Sequence, residues 1–190
     1  MFEIVNITSK FAIGPQPSIK DFDVIRAAGF ASLLNARPDD EQGEYLRSHE
    51  AKACAKAEGL AYAHSPSENH ALFETKTIDQ FENALMALPS PIFSHCKTGT
   101  RTAILWALVA ARHRNVEDVI ATLRKAGQEL EFLEEELRDA SGTARKSPLR
   151  MKDDALIKLG QSNLISDKKS WLTLLLIPLT SNRRLIPFNY

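Results

Sequence analysis

The chain has 190 residues, 44% of them hydrophobic, enough for one domain with a real core. Lys+Arg and Asp+Glu both number 24, so no net charge draws the protein to nucleic acid or to an anionic membrane surface. Its two cysteines, Cys54 and Cys96, lie far apart and show no zinc-type spacing with histidine, so neither a metal nor a cofactor is expected. The N-terminus shows no basic-then-apolar signal pattern, and a reducing, cytoplasmic setting is expected, as a working thiol requires.

Phe2–Val5 and Phe11–Gly14 are short strand candidates, followed by a Gly-Pro-Gln-Pro turn over residues 14–17. Ser18 is placed to cap a helix reaching Ala28, with Asp21 at the capping-box position and Gly29 ending it. Residues 30–35 are an apolar run of strand length, read as a buried parallel strand. The charged loop 36–43 follows that strand's carboxyl end, where open α/β sheets place their ligand crevice. Arg37, Asp39, Asp40 and Glu41 are therefore rim candidates, with Asp39 or Asp40 alternatively capping the next helix.

That helix is expected over residues 44–58, ended by Gly59 and carrying Cys54 as a packed small residue. Residues 60–64 read as a strand and 65–70 as a polar loop containing Glu68. Thr75 or Thr77 opens a helix with Ile78, Phe81, Leu85 and Leu88 on one face. A strand beginning at Ile92 leads into Cys96-Lys97-Thr98-Gly99-Thr100-Arg101, and residues 102–112 form a nearly all-apolar, hence buried, helix. Asn115 caps a further helix ended by Gly127, and residues 128–140 give the last. The expected architecture is α/β: a central, mostly parallel sheet of four to five strands flanked by helices. A domain over 1–142 is followed by an extension, 143–190, whose apolar run 171–179 is too short to span a membrane and is a candidate for self-association or partner contact.

A strand, a tight loop opening on cysteine, and a helix aim backbone N–H groups and a helix N-terminus at one point, which suits an anion and a thiolate. Gly99 permits the bend, and Arg101 and Lys97 add positive charge. Thr98, Thr100 and Thr102 can donate hydroxyl bonds to the sulfur, Thr102 being the best placed. His95 is expected to support the loop rather than react.

The cysteine–glycine–arginine loop resembles those of cysteine-dependent protein phosphatases and of rhodaneses. With residues 11–18 and the Asn35…Arg37-Pro38-Asp39 signature, residues 1–140 resemble the beta-lactamase hydrolase-like protein, phosphatase-like domain family, which implies a protein tyrosine phosphatase-like fold. One departure concerns the loop. Arg101 follows Cys96 by five positions, where tyrosine phosphatases have six, and this shorter spacing resembles the rhodanese loop.

The loop length favours a sulfurtransferase, with Cys96 carrying sulfane sulfur as a persulfide between a donor such as thiosulfate and a thiol acceptor. The alternative is a phosphatase acting on phosphate monoesters through a Cys96 phosphocysteine. That reaction also needs a general acid and base, for which Glu68 is the first candidate and Asp39 or Asp40 the second. A third reading is a non-catalytic persulfide or anion sensor. In each, the partner is a small anion: thiosulfate, a persulfide or a phosphate ester.

Overall fold

The computed structural model describes residues 2–142. The expected extension 143–190, with its apolar run 171–179, lies outside the described residues. Among the described residues no helix is long and apolar enough to cross a membrane.

Five strands form one sheet: β1 (Val5–Asn6), β2 (Phe11–Gly14), β3 (Ser32–Asn35), β4 (Ala61–His64) and β5 (Ile92–His95), in the order β1-β2-β5-β3-β4. Only β1 runs antiparallel to its neighbour; β2, β5, β3 and β4 are mutually parallel, as expected. The central β5 is buried along its whole length, its polar residues Ser94 and His95 included.

The helices are α1 (Asp21–Ala27), α2 (Ser48–Ala57), α3 (Thr75–Ala87), α4 (Thr100–Ala111), α5 (Val116–Lys125) and α6 (Glu134–Gly142). Side chains leave each strand on alternate faces, so the sheet faces two cores. Phe93, Leu33 and Ala12 pack with α1 and α2 through Phe22, Ile25, Ala51 and Ala55. Ile92, Leu34 and Ile13 pack on the other face with α3 to α6. Cys54 packs beside the smaller core. Helix α4 is buried on every side, from Arg101 to Ala111, because α3, α5 and α6 enclose what the sheet leaves open.

Four helix starts differ from the sequence expectation, α4 by opening at Thr100 rather than Thr102. Helix α1 begins at Asp21 behind Lys20, although Ser18 and Asp21 do bond each other, the Ser18 hydroxyl donating to Oδ2 at 2.7 Å. Helix α2 begins at Ser48 rather than Glu44, because residues 41–47 are drawn into side-chain contacts with Arg37 and Asp39. The segment 128–140 holds a short 3₁₀ turn, Glu131–Leu133, before α6. Asn115 stands at the start of α5 as expected, but its side chain makes no capping bond.

Candidate active site

Parallel pairing brings the carboxyl ends of β2, β3 and β5 together: Gly14 and Asn35 each stand level with His95. The loops that follow these strands, and the loop after β4, therefore meet around Cys96.

Cys96 itself is 1% exposed, and its Sγ accepts a hydrogen bond from the Gly99 amide at 3.2 Å. Gly99 sits at φ +101°, a conformation disfavoured for any residue with a Cβ. A Cβ there would also lie 3.2 Å from the Gly14 carbonyl oxygen. The glycine thus does two things: it turns its amide onto the sulfur, and it lets the loop after β5 press against the end of β2. Helix α4 starts at the next residue, so the sulfur lies at the positive end of a long buried helix.

The threonines divide. Thr98 and Thr100 are exposed and their hydroxyls lie 3.2 Å apart. The buried Thr102 donates to the Gly99 carbonyl at 2.7 Å. Its hydroxyl hydrogen is committed to the loop backbone, which corrects the expectation that Thr102 is the best-placed donor to the sulfur. Lys97 is exposed at the loop's outer edge.

Arg101 is buried, and the hydrogen bonds of its guanidinium run to groups other than the sulfur. Nη1 donates to the Ser67 carbonyl at 2.9 Å, and Nη2 pairs with Glu41. A guanidinium is a fork of several donors, and it turns to the nearest carboxylate and carbonyl. Glu41 shares its other oxygen with Arg37, whose Nε lies 2.8 Å from Oε2. One carboxylate therefore holds two buried arginines. Burial alone would raise the Glu41 carboxyl, but the hydrogen bonds from Arg101 and Arg37 hold it below the usual carboxylate range. Arg37 also stacks on Tyr45, 3.4 Å from the ring centroid, and Arg47 lies 4.2 Å from the same ring.

Asp39 does not meet the cysteine loop through any of its hydrogen bonds. Its Oδ1 accepts from the Ser48 amide at 2.7 Å, so it caps α2, the second of the two roles open to it. Those bonds outweigh the burial that would raise it, and its carboxyl is lowered. Asp40 is exposed. Glu68 is half-buried and stands directly after Ser67, the residue that Arg101 grips, so its loop is tied to the cysteine loop.

His95 is fully buried and points to the other face of β5, its ring stacked with Phe93 at 6.4 Å. Nδ1 lies 3.4 Å from the Cys96 carbonyl oxygen, and Nε2 has no partner. Burial pushes its pKa down to about 3, so the imidazole is neutral. This is a supporting position beneath the loop.

Gln16, read from sequence only as part of a turn, proves to adjoin the site. Its backbone amide donates to the Lys97 carbonyl at 3.3 Å. Its side-chain Nε2 and Oε1 are both buried, and neither has a hydrogen-bond partner. Such an unmet group costs on the order of 1–3 kcal/mol. Gln16 also lines a cleft of about 750 Å³ together with Ser18, Lys20, Arg37 and Tyr45.

The family described as beta-lactamase hydrolase-like protein, phosphatase-like domain, matches residues 3–113. The chain belongs to this family. Among its relatives is a beta-lactamase hydrolase-like protein of Agrobacterium fabrum, 36% identical over 104 residues, which are 55% of this chain and 24% of that protein. The chain thus matches about a quarter of the length of that relative. A crystal structure of a candidate phosphatase from Neisseria meningitidis is 25% identical, covers 72% of this chain and 97% of its own, and superposes with a TM-score of 0.63. Tk-PTP in its active form shares the fold at 15% identity and a TM-score of 0.52, over 74% of this chain and 97% of its own. The family member described here is an α/β, protein tyrosine phosphatase-like domain, and the family and its fold are phosphatase-like.

Proposed function

We propose that this domain is a phosphatase that hydrolyses phosphate monoesters through a phosphocysteine on Cys96. The observation that carries the reading is the sulfur's position: it accepts the Gly99 amide at the N-terminus of α4, while Arg101 is fastened to the Glu68-bearing loop through Ser67. The family match and the Neisseria meningitidis structure favour phosphate chemistry over the sulfurtransferase that loop length alone suggests.

The reaction runs in two steps. The Cys96 thiolate attacks phosphorus; the S–P bond forms, the ester P–O bond breaks, and protonated Glu68 gives its proton to the leaving oxygen. Water then attacks phosphorus; the S–P bond breaks, Glu68 takes the water's proton, and Cys96 returns as thiolate with inorganic phosphate released. The loop amides, the start of α4, Lys97 and those Arg101 N–H groups not engaged by Glu41 and Ser67 hold the phosphoryl oxygens. Glu41 acts through Arg101 and is a positioning residue.

The reading is tested by phosphate release from an aryl phosphate. The wild-type chain turns it over, Cys96→Ser does not, and no turnover by the wild type overturns it. The five-position spacing of Cys96 and Arg101 keeps sulfur transfer as a second reading. In a parallel assay, thiocyanate formed from thiosulfate and cyanide without phosphate release from the ester would favour that reading.

A further inference from the structure

We propose that the cleft between the turn after β2 and the loop after β3 is a second binding site, separate from the cysteine loop, for a small organic anion: a carboxylate or phosphate group carried on an apolar body. The proposal stands whichever reaction Cys96 performs.

The topology makes the cleft. Strands β2 and β3 flank β5, and Gly14 and Asn35 each stand level with His95. Two residues further on, the chain leaving β2 reaches Gln16 and the chain leaving β3 reaches Arg37, and both line the cleft. Among its described lining residues none belongs to the loop 96–101, so it is a place apart from the nucleophile. Its volume of about 750 Å³ lies in the range of sites that hold small molecules.

Arg37 gives this cleft an unspent cation. Its side chain is only 6% exposed, and its Nε is bonded to Glu41. Among the described residues neither Nη1 nor Nη2 donates a hydrogen bond. Arg101, buried alike, has both of its Nη groups bonded. Stacking on Tyr45 holds the Arg37 guanidinium in one plane. A desolvated guanidinium with two N–H groups unspent presents the fork that fits a carboxylate or a phosphate. The Gln16 side chain adds a second unmet demand, since its Nε2 and Oε1 are buried without partners. An occupant of the cleft supplies the acceptor that the amide nitrogen lacks.

The rim sets the rest of the ligand. Lys20 is exposed there, so Arg37 and Lys20 stand against the one lining acid, Glu44. That balance favours an anion. Ile19, 66% exposed, lines the same cleft with Pro17 and Leu46, a surface for a hydrocarbon body to cover. An inorganic anion uses the cationic floor and leaves this surface wet. The cleft and the cysteine loop also share a carboxylate, because Glu41 takes Arg37 on one oxygen and Arg101 on the other.

The test is heteronuclear NMR of the full, isotope-labelled chain titrated with phenylbutyrate, with phenylbutanol and with sulfate. The side-chain amide of Gln16 is assigned as the signal lost in Gln16→Met. Phenylbutyrate should shift that signal and the Arg37 Nε–H saturably. Phenylbutanol, with the same body and no charge, should bind roughly tenfold more weakly, and sulfate, with charge and no body, should also bind more weakly. Arg37→Lys keeps the charge and loses the fork, and should weaken phenylbutyrate roughly tenfold. Lys20→Glu reverses an exposed charge at the rim and should weaken it severalfold. No saturable shift overturns the proposal, as does phenylbutanol binding equally well. Sulfate binding as tightly as phenylbutyrate overturns the organic ligand. A shift of the Gly99 amide with the Gln16 signal unmoved would put the ligand in the cysteine loop and refute a second site. If Arg37→Lys fails to fold, Lys20→Glu decides, and unaltered affinity in that variant is a refutation.

Discussion

Glu41 and Arg101 are sixty residues apart in sequence and form a part-buried ion pair that also engages Arg37 through the other carboxylate oxygen. The pair sets where the arginine of the cysteine loop can reach. Replacing Glu41 by Gln keeps the shape and removes the charge shared by two arginines. Turnover of an aryl phosphate should fall on the order of a hundredfold, as expected for a displaced binding group. Stability should fall by about 1 kcal/mol, since two arginines lose the charge of a partly exposed, solvent-screened partner. Urea unfolding and steady-state kinetics check both.

The same residue has a pH signature. The folded Glu41 carboxyl lies below its usual value, so the stabilisation is complete above the unfolded value of about 4.3 and is lost as pH falls through the folded one. The stability difference between wild type and Glu41→Gln should therefore shrink on acidification below about pH 4. A difference that stays constant to pH 3 would show that charge is not what joins the loops.

His95 gives a slope of the opposite origin. Burial holds it neutral down to about pH 3, whereas in the unfolded chain it takes up a proton near pH 6.5. Between those values the unfolded state binds more protons, so stability declines as pH falls through that window. Chemical denaturation of wild type and His95→Gln across it should show that decline in the wild type and a shallower one in the variant. Parallel curves would mean that the histidine is not desolvated.

The proton role of Glu68 is read from leaving groups. Glu68→Gln should slow the first, leaving-group step with alkyl phosphates on the order of a hundredfold, and the same step with para-nitrophenyl phosphate, read as pre-steady-state nitrophenol release, far less, because nitrophenolate leaves without a proton. Equal losses on both substrates would assign Glu68 to binding instead.

At the far end of α4, Arg112 pairs with Asp79 at 2.8 Å and with Glu82 at 2.6 Å, and Glu82 also meets His113. Arg112→Leu should cost about 3–5 kcal/mol by leaving Glu82 under-compensated in the core. Since it touches none of the loops around Cys96, kcat of the folded variant should be unchanged. A loss of kcat at full folding would mean that α4 transmits strain to its N-terminus.

Much of this architecture is legible in the sequence, because short strand-length segments alternate with longer helical ones set off by glycine and proline. The parallel sheet, the buried α4 and the loop opening on Cys96 all follow from local patterns. Contacts between distant segments do not. Nothing in the spacing tells Glu41 that its partner is Arg101. The delayed start of α2 comes from Arg37, Tyr45 and Arg47 stacking together, a tertiary effect that overrides the helix propensity of Glu44 onward. Gln16 was hidden because a Gly-Pro-Gln-Pro stretch reads as a turn wherever it occurs. Thr102 looked like a sulfur donor by position alone, yet its hydroxyl is taken by the carbonyl one helical turn back.

The central claim is that Cys96 forms a bond to phosphorus. It is tested most directly by acid-quenching the wild-type chain during turnover of para-nitrophenyl phosphate and weighing the peptide that contains Cys96. The account predicts that peptide heavier by one phosphoryl group, with the Cys96→Ser chain unlabelled. A Cys96 peptide that gains no phosphoryl group while phosphate is being released, or one that gains only sulfur when thiosulfate is offered in the ester's place and no phosphate is released from the ester, contradicts it.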